Sequence, residues 1–269
     1  MKKISILGCG WLGLPLAKKL VSEGYEVKGS TTSGDKLEQI RSVGVSPYLL
    51  RLTKDTEVDT GFLDSDILIL NIPPSKYKHS DFLASLKNLK SQVESSSISR
   101  VIYISSTSVY PSNNREVTEG DADYIPTSRS GIVMLETEDI WRESSAFDYF
   151  VVRFAGLFGP DRNPGRFLSG KETNGGKNPV NMIHLHDCIG VIEVLLKQSQ
   201  WNDTFNACSP HHPTRYDFYE HASRKLGIEP PVFSEPHYTE HKIVNSDKLI
   251  RLLSYRFQKE HLIEALETL

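Results

Sequence analysis

Lys3-Ile4-Ser5-Ile6-Leu7, running directly into Gly8-Cys9-Gly10-Trp11-Leu12-Gly13, decides how this chain folds. The first five residues are β-rich, and the next six put glycine at the first, third and sixth places. Leu14–Glu23 then carries Leu16, Ala17 and Leu20 at helical spacing, and Gly24 supplies the stop. Outward from this strand, turn and helix, the alternation continues. Glu26–Ser30 reads as a second strand, Thr31–Asp35 as a polar turn, Lys36–Val43 as a short helix and Pro47–Leu52 as a third strand. Asp66–Asn71 is a nearly continuous apolar run, the mark of a strand covered on both faces, and Pro73-Pro74 ends it. A helix around Asp81–Glu94 and a strand at Arg100–Ser105 follow. Strands alternating with helices call for a parallel sheet with helices on both faces.

The second half is less regular. The loop Pro111–Thr127 is rich in turn residues, and the pattern predicts a helix near Ser130–Arg142 and a strand at Tyr149–Phe154. Helical spacing returns at His186–Gln198 and Tyr216–Leu226. Pro230-Pro231 and Pro236 break the chain before a C-terminal strand and helix. The expected division is a domain mainly over 1–160 and a smaller lobe mainly over 161–269, with 180–200 returning to the first domain.

Charge and composition narrow the function classes. Lys plus Arg number 31 against 34 Asp plus Glu, a formal net charge of −3, so nothing advertises nucleic acid or an anionic membrane. No apolar run approaches the roughly 18 residues of a membrane span. Ile4–Leu7 is too short for the apolar core of a secretory signal. Cys9, Cys188 and Cys208 are scattered, without the spacing of a zinc site, and read as buried thiols of a protein in the reducing cytoplasm. No metal is expected.

The glycine spacing after a strand and before a helix is the dinucleotide fingerprint. Gly8 permits the tight turn, Gly10 lets the backbone approach a diphosphate, and Gly13 lets helix and strand pack. The helix N-terminus then offers free N–H groups and the positive end of its dipole. Trp11 and Leu12 complete this loop. An NAD site usually places an acid about 20 residues on, to take the ribose 2′-hydroxyl. Here stand Ser30, Thr31 and Thr32, with no acid before Asp35 and with Lys36 close by. The coenzyme is therefore expected to be NADP rather than NAD. Asn71, Ile72 and Pro73 lie at the carboxyl edge of the apolar strand, where such sheets bind ligands, and are expected on the adenosine side.

Further along stand Ser105-Ser106-Thr107-Ser108-Val109-Tyr110, then Val152-Arg153-Phe154-Ala155-Gly156-Leu157-Phe158-Gly159-Pro160, then Val180–Asp187. With the glycine loop, these blocks resemble the extended and atypical short-chain dehydrogenase/reductases, the group of sugar-nucleotide epimerases and dehydratases, over nearly the whole chain. The resemblance implies a Rossmann-type doubly wound α/β fold with a small C-terminal substrate lobe. It implies that Ser105 sits against the coenzyme and that the Ser106 hydroxyl, with Thr107, holds the substrate oxygen. It further implies a tyrosine and, four residues later, a lysine at the start of the next helix. The register held by Gly131, Leu135 and Glu138 puts Ser130 at the tyrosine and Met134 at the lysine.

That departure matters because serine is far too weak an acid to replace a tuned phenol, and methionine brings no charge to tune one. Tyr238/Lys242 and Tyr255/Lys259 repeat the spacing but lie far past that helix, and read as chance matches. His184 could exchange a proton near neutral pH; with His186 it would face one side of a strand. Asp187 is expected to cap or complement the following helix. His211-His212, in a proline-flanked loop, reads as solvated surface. Arg153 is expected to pair internally.

Two functions stay open. One is an NAD(P)-dependent oxidoreductase or epimerase-type enzyme on a small carbonyl or alcohol substrate, such as a nucleotide sugar. Its proton relay would be non-standard, through His184, a water held by Ser130, or the substrate. The other is a dinucleotide-binding sensor or scaffold without hydride chemistry. A homodimer is compatible with either.

Overall fold

The computed structural model describes residues 2–74, 78–124, 128–234 and 239–269. Thr127, Pro236 and Tyr238 of the segments above lie outside them.

Five parallel strands are β1 (Lys3–Leu7), β2 (Glu26–Thr31), β3 (Ser46–Leu49), β4 (Ile67–Leu70) and β5 (Arg100–Ser106). Strands Asp148–Phe154 and Asp203–Ala207 extend the sheet beyond β5. The seven-stranded order is Asp203–Ala207, Asp148–Phe154, β5, β4, β1, β2, β3. This is the expected Rossmann-type α/β sheet. The chain winds outward from β1 through β2 to β3, then returns to place β4 on the other side of β1. That reversal opens a crevice at the carboxyl ends of β1 and β4. All four residues of β4 are buried, as its apolar run requires. Helix α1 (Gly13–Ser22) buries Leu16, Ala17 and Leu20 and packs mainly on β2.

The chain divides into two compact units. The first comprises 1–105, 132–152 and 195–204; the second comprises 106–131, 153–194 and 205–269. These units interleave more than the expected division near residue 160. Segments 106–131 and 153–160 belong to the second unit, and of 180–200 only 195–200 belongs to the first. The chain passes between units at the end of β5, inside strands Asp148–Phe154 and Asp203–Ala207, and inside helices Arg129–Arg142 and Leu185–Leu196, so no linker composition marks the crossings. The second unit has its own core of Phe158, Val180, Met182, Phe218, Leu262 and Leu266. Parallel pairs of short strands frame it: Gly156–Phe158 with Met182–His184, and Arg115–Val117 with Lys242–Val244.

Strand Asp203–Ala207 had no apolar signature. Its fully buried Asn206 makes polar bonds instead, accepting from the Tyr110 hydroxyl and donating to the carbonyl of Asn245 at 3.0 Å. Among the described residues no helix is long and apolar enough to cross a membrane.

Candidate functional site

The glycine loop is built by local ties. The N–H of Gly8 donates to the Ser30 hydroxyl at 3.0 Å, and the N–H of Cys9 donates to the Ser30 carbonyl at 2.7 Å. Asn71 Nδ2 donates to the Gly8 carbonyl at 2.9 Å, joining β4 to the turn. Gly8 has φ +105°, and a Cβ on Gly13 would stand 2.1 Å from the Gly8 carbonyl, so these two glycines are demanded by the fold. Gly10 is different. It is exposed, its φ is not left-handed, and a Cβ there would meet nothing within 4 Å. No packing in the chain needs glycine at this place, whereas a ligand lying on the backbone would. Helix α1 begins beside it with no side-chain cap and no acid in its first turn; the Leu14 N–H donates to the Gly10 carbonyl at 3.0 Å and Pro15 has none, so the N–H groups of Leu12 and Gly13 are the ones offered to an anion.

This loop lines an open cleft in the first unit. Gly8, Gly10, Ser30, Thr31 and Thr32 line it, as do Asn71, Ile72 and Pro73. Ser33 and Lys36 line it too, while Asp35 and every other acid among the described residues do not. By accepting the Gly8 N–H, the Ser30 hydroxyl shapes the loop, and its own O–H remains able to donate. Leu12 is buried and Trp11 half-buried at the turn into α1. Ser105 is displaced from the role the resemblance implied. Its hydroxyl donates to the buried Glu138 carboxylate at 2.5 Å, and Glu138 also accepts from Arg142 at 2.6 Å. A hollow adjoining the cleft shares Thr32 and Leu52 with it and brings in the exposed Arg51, which sequence reasoning passed over.

In the second unit, Ser106, at the end of β5, and Thr107 after it line an open pocket. The Ser106 hydroxyl accepts the N–H of Ser108 at 3.2 Å, which turns the chain there. Ser130 and His184 do not line this pocket. Ser130 is exposed and shares a hydrogen bond with Ser128 at 2.9 Å. Arg153 is buried: Nη1 donates to the Tyr110 hydroxyl at 2.8 Å and to the Glu119 carbonyl at 2.9 Å. Burial pushes the Tyr110 phenol up to about 12, away from proton exchange at neutral pH.

In the first unit, Met134 is 6% exposed, and its sulfur accepts from the hydroxyl of the fully buried Tyr103 at 3.8 Å. The place where the resemblance expects a lysine is therefore part of an apolar core.

The histidines differ from expectation. His184 ends a strand while His186 lies in helix Leu185–Leu196, so their rings meet edge to face, with centroids 4.8 Å apart, rather than sharing a strand face. His184 Nδ1 accepts the N–H of His186 at 3.2 Å, and its Nε2 is buried without a hydrogen-bond partner among the described residues. Burial, then the neighbouring His186 and Lys259 charges, push His184 down to about 4, so the ring is neutral. As pH falls, the unfolded chain takes up the proton first, near pH 6.5, and the fold loses stability between there and pH 4. Urea denaturation of wild type is expected to show a loss of about 1–3 kcal/mol across that window that His184→Phe lacks. Equal slopes would show that the ring is protonated in the fold.

Asp187 is not the cap residue, but as the acid in the first turn of its helix it complements the helix N-terminus, the other half of the expectation. Fully buried in the first turn of its helix, it accepts from the Tyr255 hydroxyl at 2.9 Å and from the N–H groups of Gln258 and Lys259 at 2.7 and 3.0 Å. Tyr255 is thereby an anchor of the C-terminal segment, and burial raises its phenol well above the usual range. His211 and His212 are half-buried rather than solvated. The first accepts the N–H of Leu262 at 3.0 Å, and the second bonds the Val180 carbonyl at 2.9 Å. All three cysteines are buried free thiols.

Comparison with known proteins gives this arrangement its place. The model of the NAD(P)H-binding family matches residues 8–186, from the first glycine of the loop to His186. Protein YeeZ of Escherichia coli (strain K12) is 36% identical over 265 residues, covering 96% of each chain. Among solved structures, a functionally unknown conserved protein from Silicibacter pomeroyi superposes with a TM-score of 0.82 at 21% identity, covering 99% of this chain and 97% of its own. UDP-glucuronic acid 4-epimerase from Bacillus cereus, in complex with NAD, gives 0.81 at 19% identity, covering 99% and 96%. The glycine loop, its cleft and these matches make the chain a member of the NAD(P)H-binding family, with the fold of the epimerase/dehydratase-type enzymes.

Proposed function

We propose that this protein is an NADP(H)-preferring oxidoreductase or epimerase-type enzyme acting on a nucleotide-sugar-like or other small carbonyl or alcohol substrate. The carrying observation is Gly10, a glycine that no contact within the chain requires, set beside an uncapped helix N-terminus. The amides of Gly10 to Gly13 would hold the diphosphate. Thr32, Ser33 and Lys36 would hold a ribose 2′-phosphate, in a cleft that no carboxylate lines among the described residues; Arg51 stands in the adjoining hollow with Lys54, Asp55 and Asp81. When bound, the nicotinamide supplies or takes the hydride. Ser106 and Thr107 hold the substrate oxygen in their pocket. The Bacillus cereus neighbour's UDP-glucuronic acid is a reasonable first substrate to try. Of the three proton sources considered, neither His184 nor Ser130 lines this pocket, which favours the substrate itself.

Met134 supports a second reading, a dinucleotide-responsive sensor that has given up hydride transfer. A core methionine cannot tune an acid. One experiment separates the two: melting temperature and reduced-nicotinamide absorbance, followed with NADPH or NADH and with UDP-glucuronic acid. At a hundred times Kd, NADPH is expected to stabilise by about 2.7 kcal/mol, and NADH by less. Lys36→Glu is expected to weaken NADPH about tenfold and spare NADH. Turnover that Ser106→Ala removes without loss of NADPH binding supports the enzyme. Stabilisation without turnover across carbonyl and alcohol substrates supports the sensor. Equal affinity for both coenzymes refutes the NADP preference.

A further inference from the structure

Asn174-Gly175, in the second unit, is the one asparagine–glycine pair in the sequence, and it lines neither the cleft nor the Ser106 pocket. It follows the short strand Glu172–Thr173, which pairs with Val232–Phe233. Asn174 is exposed, and its side-chain amide makes no hydrogen bond among the described residues. Gly175 is buried in the left-handed region, with φ +68°. Its N–H has no acceptor among the described residues, which is rare for a buried main-chain donor.

Other asparagines are held or blocked. Asn163 and Asn178 precede proline, which has no N–H. Asn245, before Ser246, is bonded at both ends of its amide: Oδ1 accepts the Asp247 N–H at 2.7 Å and Nδ2 donates to Glu116 at 2.9 Å. Asn202, before Asp203, accepts the Tyr149 N–H at 3.0 Å and donates to Asp148 at 2.8 Å. Asn206, before Ala207, is fully buried and bonded at both ends.

A free asparagine amide before glycine lets the next main-chain nitrogen reach the side-chain carbonyl carbon. Glycine has no Cβ to obstruct the approach, and a nitrogen without a hydrogen bond loses none by attacking. We infer that Asn174-Gly175 is a site of spontaneous deamidation in the folded protein. The Gly175 nitrogen gives its proton to solvent base and bonds to Asn174 Cγ. The side-chain nitrogen takes a proton and leaves as ammonia. The resulting five-membered imide then adds one water. Breaking the new N–Cγ bond yields aspartate. Breaking the original peptide bond yields isoaspartate, whose main chain runs through Cβ and Cγ. Nothing is oxidised or reduced.

The two products differ in consequence. Aspartate adds a carboxylate at an exposed place. Isoaspartate adds a main-chain atom between two fixed points. Before it, the Thr173 carbonyl accepts the Ser234 N–H at 2.8 Å. After it, the Gly176 carbonyl accepts the N–H of Tyr216 at 2.9 Å, in the first turn of helix Arg215–Lys225. The longer main chain strains these ties. The inference depends on neither the coenzyme nor the reaction.

Ageing of the purified full chain in neutral buffer tests it. Trypsin, cutting after Lys171 and Lys177, releases Glu172–Lys177 at successive times. That peptide is expected to become about 1 Da heavier, as an amide becomes a carboxyl group, and to accept methyl groups from isoaspartate methyltransferase. Its conversion within the folded chain is expected to be within about tenfold of that of a synthetic Glu172–Lys177 peptide, because an exposed turn needs little opening. Asn174→Gln, whose longer side chain closes a ring less readily, is expected to abolish the methyl acceptance of this segment. Asn174→Asp is expected to melt within about 2 °C of fresh wild type, and the isoaspartate-bearing fraction of aged wild type to melt below both. An unchanged Glu172–Lys177 in the folded chain, while the synthetic peptide deamidates, would show that the fold keeps nitrogen and amide apart and would overturn the inference. Conversion that starts at another asparagine, or methyl acceptance of this segment that survives Asn174→Gln, would also overturn it. An isoaspartate fraction that melts like Asn174→Asp would overturn the effect assigned to the longer main chain.

Discussion

Gly10→Asp is expected to lower NADPH affinity at least about a hundredfold while moving the melting temperature by no more than about 2 °C. The two halves of this expectation have separate physical grounds. Stability is spared because the Cβ enters open space and the backbone there is not left-handed. Affinity is lost because the new carboxylate occupies the approach of the diphosphate and repels it in front of the only uncompensated helix end at that turn. Gly8 and Gly13 provide the contrast. A Cβ at Gly8 would stand 2.3 Å from the Asn71 carbonyl at φ +105°, and one at Gly13 would meet the Gly8 carbonyl at 2.1 Å. Alanine at either place should lower the melting temperature together with the affinity. NADPH titration followed by nicotinamide fluorescence, with thermal melts of the same samples, separates the cases. Unchanged affinity in Gly10→Asp would place the coenzyme elsewhere.

Met134→Lys is expected to destabilise the protein by about 2–4 kcal/mol, or roughly 5–15 °C in melting temperature. The substitution restores the lysine that the family resemblance would put there, yet the local environment has been rebuilt around an apolar side chain. Met134 is 6% exposed, and the hydroxyl beside its sulfur belongs to a fully buried tyrosine. One turn along, Glu138 is fully buried, but Ser105 and Arg142 already bond it. A lysine ammonium would have to shed water without gaining a free carboxylate. Met134→Leu, nearly volume-conserving, is expected to cost less than about 1.5 kcal/mol. Urea denaturation of the two variants measures the difference. Wild-type stability in Met134→Lys would mean that the side chain reaches solvent and that the position is ready for the lysine chemistry.

What could be seen in advance follows from how local each signal is. The turn Gly8–Gly13, the buried run Ile67–Leu70 and helix α1 are written in contiguous residues, and the spacing alone placed them. The cleft residues Thr32, Asn71 and Lys36 follow because ligands gather at the ends of β1, β2 and β4 once the strand order is known. Ser105 was misplaced because its neighbour in space, Glu138, is distant in sequence. Strand Asp203–Ala207 was invisible because its buried asparagine satisfies itself through bonds to Tyr110 and Asn245, which no hydrophobic pattern reports. Arg215 and Lys242 are the clearest case. The first stands one residue before the predicted helix Tyr216–Leu226 and drew no reading at all. The second was seen only as half of a chance Tyr-x-x-x-Lys string. Only the tertiary fold puts them in one pocket.

The central claim, that the glycine loop holds a nicotinamide dinucleotide, is tested most directly by isothermal titration of the purified full chain with NADPH. The account predicts saturable binding of one coenzyme per chain, with Kd well below millimolar. No heat from NADPH or NADH, in reduced or oxidised form, up to millimolar concentrations would contradict it.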